Sequence, residues 1–210
     1  MIFKTEPDKK AGRRQRILYY LWQYGMLALT SICLGALLLI FAHGDYSWRG
    51  FLGYFTSPAI LLFNILPVFV LVFLFYGITG RAWVSFLTGG IISSVLPLAN
   101  YYLLAFRDDT LRFEDITLIR EAAAMVSEQH YDLFIDLRVT ALILALFAGT
   151  LFLLFFVRHK EKWVPCRVIT AVLPIVIFAC AVPSYFDDEL YSSVQNYDHF
   201  NQWSETHEYI

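Results

Sequence analysis

PAILLFNILPVFVLVFLFYGITGRAWVSFLTGGIISSVLPLANYYLLAFR, residues 58–107, decides the fold. In this stretch the only charged side chains are Arg81 and Arg107. Two apolar runs, about Pro58 to Thr79 and about Ala82 to Phe106, flank the pair Gly80-Arg81. Each run reaches the roughly 20 apolar residues that a helix needs to cross the hydrocarbon of a bilayer. Two residues between them leave room for a tight turn, so the segment predicts a helical hairpin that crosses a membrane twice. Pro67 and Pro97 sit inside the runs and predict kinks, because proline removes a donor that neighbouring helices or local distortion must make good.

Working outward from the hairpin, three more runs qualify. One precedes it, about Leu18 to Ala42. Two follow, about Val139 to Val157, bounded by Arg138 and Arg158, and about Val168 to Tyr185, which carries Pro174 and Pro183. The composition agrees with five spans. Hydrophobic residues make up 58% of the chain, aromatic residues 18% and charged residues 16%, against about 45–50% apolar and about 25% charged in soluble domains. That balance excludes an ordinary water-soluble fold, and the aromatic content excludes a disordered tail. The net charge of −2 excludes the basic domain expected of a nucleic-acid binder.

The charges are strongly partitioned. Residues 1–17, the Gly80-Arg81 turn and the loop between spans four and five together hold eleven Lys and Arg against Glu6, Asp8 and Glu161, a formal +8. The opposite side holds five basic and fifteen acidic residues, a formal −10. By the positive-inside bias the basic side is cytoplasmic, so the N-terminus is inside and the C-terminus outside. The first span, although preceded by a basic stretch, is longer than a signal-peptide core and reads as a retained signal-anchor. Cys33, Cys166 and Cys180 fall in spans or on the basic side, where none is placed for an extracellular disulfide.

The expected fold is therefore an all-α membrane protein: a basic cytoplasmic N-terminus (1–17), a transmembrane domain (18–185) and an extracytoplasmic linker (186–210). Between helices three and four lies a long external segment from Arg107 to Arg138. After Asp115, a plausible N-cap, Ile116, Ile119, Ala123 and Val126 recur at helical spacing, which predicts an extracytoplasmic amphipathic helix over about 115–128.

Candidate functional residues are few. Intramembrane polar groups are Asn64 and Asn100, with Ser85, Thr88, Gly89, Gly90, Ser93 and Ser94 beside them, a pattern that more often serves close helix packing than a pathway. No span carries the intramembrane Asp, Glu, Lys or Arg usual in transporters and pumps. The five histidines are scattered without metal-ligand spacing, so no metal site is expected. Glu114, Asp115 and Glu121 read as the solvated face of the surface helix. No catalytic residue is identified.

The order of motifs nevertheless resembles a known family. Ser57–Pro67, SPAILLFNILP, and Ala99–Met125, ANYYLLAFRDDTLRFEDITLIREAAAM, are similar to the membrane domain of the lipoteichoic acid synthase family, bacterial proteins of the alkaline phosphatase/sulfatase superfamily. The segment Asn196–Ile210 looks like the linker toward that family's catalytic domain. The family's recurring positions map to Pro58, Asn64, Asn100, Arg107, Asp115, Glu121 and Ala122. The resemblance implies a bacterial plasma-membrane anchor that orients an extracellular, divalent-metal (manganese-like) phosphoglycerol transferase or hydrolase domain. No position in these 210 residues matches that domain's metal-binding residues or threonine nucleophile, so no cofactor is expected in this chain. Besides the bilayer and that domain, the implied partners are phosphatidylglycerol headgroups, with Asn64, Asn100, Arg107 and Arg112 as candidates to hold a lipid phosphate, and Asp115 and Glu121 as polar candidates on the surface helix. The alternative is a free-standing small membrane protein, a transporter subunit or an enzyme partner.

Overall fold

The computed structural model describes residues 13–42, 55, 58–107, 135–157, 161 and 164–186. Five helices run through them: α1 (Arg13–Leu38), α2 (Pro58–Thr79), α3 (Ala82–Arg107), α4 (Leu137–Phe156) and α5 (Val164–Ala181). Short 3₁₀ turns, Leu39–Ala42 and Val182–Phe186, close α1 and α5. All five helices are long and apolar enough to cross a membrane, and no strand occurs among the described residues. The surface helix expected at 115–128 and the linker beyond Phe186 lie outside the described residues.

The bundle's outer surface is built for lipid. Leu62 is 65% exposed, Phe147 62% and Ile169 62%, and similar residues line the outside of every helix. A soluble bundle hides such side chains, since contiguous apolar patches in water mark interaction sites or aggregation. The buried stripe of α1, made by Leu27, Leu34, Leu38 and Phe41, repeats at three, four and seven residues and faces α2 and α3. Against it pack Val68, Val72 and Tyr76 of α2 and Phe86 and Tyr101 of α3. α2 touches α1, α3 and α5, and α3 touches α1, α2 and α4. Only 6% of the apolar window of α5 is buried, against 39% for α1, so α1 lies inside the bundle and α5 on its rim.

Without a hydrophobic drive between helices in lipid, close approach supplies the packing, and small residues permit it. A Cβ at Gly89 would lie 2.8 Å from Val72 Cα, which shows how near α3 comes to the backbone of α2. At Gly77 it would lie 2.5 Å from Ala171 Cβ, the corresponding approach of α2 and α5. Serine and threonine hydroxyls inside the spans are satisfied within their own helices. Ser31, Ser85, Ser94, Thr150 and Thr170 donate to carbonyls three or four residues earlier at 2.6–2.8 Å.

Two ends can now be distinguished. At the hairpin end, Gly80 turns the chain at φ +65°, donating to Tyr76 O at 2.8 Å while its own carbonyl accepts from Glu161 N at 2.9 Å. Glycine is needed there, because a left-handed residue with a side chain would place Cβ 2.6 Å from Glu161 O. Arg167 closes the same end: Nε donates to Gly77 O at 2.9 Å, and a second nitrogen donates to Ile78 O. These are carbonyls of the last turn of α2, which have few intrahelical donors and attract a cation. Tyr24 Oη and Cys166 Sγ, 3.1 Å apart, tie α1 to α5 at the same end.

The position of Arg167 corrects one boundary. The charge pattern starts span five at Val168, whereas α5 begins at Val164. Pro165 explains the difference. Proline in a first turn gives up an N–H that would have no partner, so it starts the helix, and the long Arg167 side chain reaches back to the end of α2. Pro67, Pro97 and Pro174 all lie inside continuous helices.

Candidate functional site

At the far end of the bundle, opposite Gly80, three helix ends converge on Tyr101. Its ring is 5% exposed and meets the edge of Phe41, in the turn that closes α1, at 5.4 Å between centroids. The preceding residue, Asn100, donates from Nδ2 to Phe41 O at 3.4 Å, a long bond to a carbonyl at the end of α1. The Tyr101 hydroxyl donates to Asp136 Oδ2 at 2.5 Å.

Asp136 is there because the chain must re-enter the apolar bundle at α4. It occupies the N-cap in an extended conformation, φ −89° and ψ −175°, and Oδ1 accepts from Val139 N at 3.0 Å. Aspartate is among the best N-caps, since its oxygen meets one of the four donors that a helix start leaves without an intrahelical acceptor. Its own carbonyl accepts from Thr140 N at 3.0 Å and from Thr140 Oγ1 at 2.8 Å. Arg138, in the first turn of α4, places Cζ 5.6 Å from the centroid of the Tyr101 ring, within cation–π range.

Burial pushes the Asp136 carboxyl up, but the Tyr101 hydroxyl, the backbone N–H groups of Val139 and Arg138 and the Arg138 charge outweigh it. The net effect holds the carboxyl below its ordinary value. With both oxygens accepting hydrogen bonds and the charged form favoured, Asp136 is suited to a fixed ionic cap and poorly suited to shuttling protons near neutral pH. Among the described residues no three His, Cys, Asp or Glu side chains converge on a possible metal position.

The sequence candidates are distributed as follows. Asn100 belongs to this far-end knot. Asn64 is half-buried in α2, six residues from its far-end start. Arg107 is the last residue of α3, on the same end. Arg112, Asp115 and Glu121 lie outside the described residues. The residues that organise the far end most tightly, Tyr101, Asp136 and Arg138, are not among the sequence candidates, although an Asp directly before an apolar helical run is an N-cap signal. No protein-family model, curated protein or solved structure matches this chain.

Proposed function

We propose that this chain is a membrane anchor domain whose far end faces the extracytoplasmic side and orients an external domain at headgroup level. By its resemblance to the lipoteichoic acid synthase membrane domain, that external partner is a metal-dependent phosphoglycerol transferase or hydrolase outside these 210 residues. The observation that carries the reading is where the polar groups are spent. Serine and threonine hydroxyls within the spans donate to their own helices, and the far-end side chains knot α1, α3 and α4 together around Tyr101 and Asp136. A conduit needs polar groups turned toward a path, whereas an anchor needs a rigid platform where the chain leaves the membrane. The eleven basic residues at the hairpin end favour the cytoplasm for that end.

The test is a fusion. In a bacterium lacking its own lipoteichoic acid synthase, this chain is placed ahead of the extracellular catalytic domain of such an enzyme. Surface exposure of the fused domain is measured by protease accessibility, and phosphoglycerol polymer in the membrane is measured separately. Exposure together with polymer supports the whole reading. Exposure without polymer removes the phosphoglycerol assignment and leaves a bare anchor, and a cytoplasmic fused domain overturns the orientation. Arg107→Ala in the active fusion is expected to lower polymer yield severalfold at unchanged protein level if Arg107 helps hold the lipid phosphate.

A further inference from the structure

We draw no further inference here: the strongest candidate, the apolar groove of about 320 Å³ between α1, α3 and α4 lined by Leu29, Cys33, Phe86, Ala145, Gly149 and Phe152, carries none, because nothing in the structure shows what covers it.

Discussion

The two ends of the bundle solve the same problem with different chemistry. At the hairpin end the fasteners are backbone carbonyls: Gly77 and Ile78 accept from Arg167, and Gly80 accepts from Glu161 N. At the far end the fastener is one side-chain carboxylate, Asp136, which takes a hydrogen bond from Tyr101 on one oxygen and from Val139 N on the other. Amide carbonyls do not titrate and arginine does not lose its proton in proteins, so the Arg167 fastener itself should be indifferent to acidity. The far end depends on a group that changes charge. The contrast also concerns satisfaction: both Asp136 oxygens have donors, whereas the buried Oε1 of Gln23, near the hairpin end of α1, has no hydrogen-bond partner among the described residues. The hairpin end is fixed by turn geometry and close packing, the far end by a small polar knot.

The largest effect should come from breaking the turn. Gly80→Val puts a β-branched residue at φ +65° with its Cβ 2.6 Å from the Glu161 carbonyl. The left-handed conformation alone costs an L-residue about 1–2 kcal/mol, and the overlap adds about 1–3 kcal/mol. We expect a loss of roughly 3 kcal/mol in reversible unfolding of the purified protein in detergent. Loss of less than about 1 kcal/mol would mean that the turn relaxes and that the hairpin end is not set by Gly80.

Next in size is Arg167. Hydrogen bonds from a charged donor contribute about 1.5–3 kcal/mol, and Arg167→Met keeps the apolar stem while removing the guanidinium. The expected loss is about 2 kcal/mol in the same assay, with Arg167→Lys recovering only part of it because an ammonium cannot reproduce the fork that serves two carbonyls. Full recovery by lysine would reduce the role of Arg167 to a charge near the end of α2.

How much of this was legible in the sequence differs between the elements and their ends. The five spans could be read from run length alone, because lipid leaves little choice for an apolar stretch of 20 residues. The helix ends could not. By hydropathy alone, spans four and five begin after Arg138 and Arg167, since a charge marks a hydropathy boundary. A helix, however, starts where its donors are capped or removed, here at Asp136 and Pro165, and both arginines fall inside the first turn. Asn100 was visible as a polar residue in an apolar run. Its partner in space, Phe41, is 59 positions away, and Asp136, 35 positions from Tyr101, reads as one acid among several in an external segment until the fold sets it beside that ring.

The smallest and most discriminating effect is that of acid on the far end. The folded Asp136 carboxyl is held below its ordinary value, so the stability it contributes is fully present above the unfolded value, about 3.9, and is lost as the pH falls through the folded one. Asp136→Asn keeps a good N-cap and removes the charge, so near neutral pH it should cost less than the roughly 1 kcal/mol of a lost cap. That difference from the unaltered protein should stay level from about pH 8 to about pH 5 and shrink below about pH 4, where the carboxylate it lacks becomes protonated in the reference protein too. Tyr101→Phe should reproduce part of the neutral-pH loss, because it removes the donor to Oδ2 while Arg138 and the backbone donors remain. The Arg167→Met difference should show no such step across the same range. If it does, the two ends are coupled through α1 and α3 and cannot be treated as separate fasteners; if the Asp136→Asn difference stays flat to pH 3, the carboxylate is not what holds the far end.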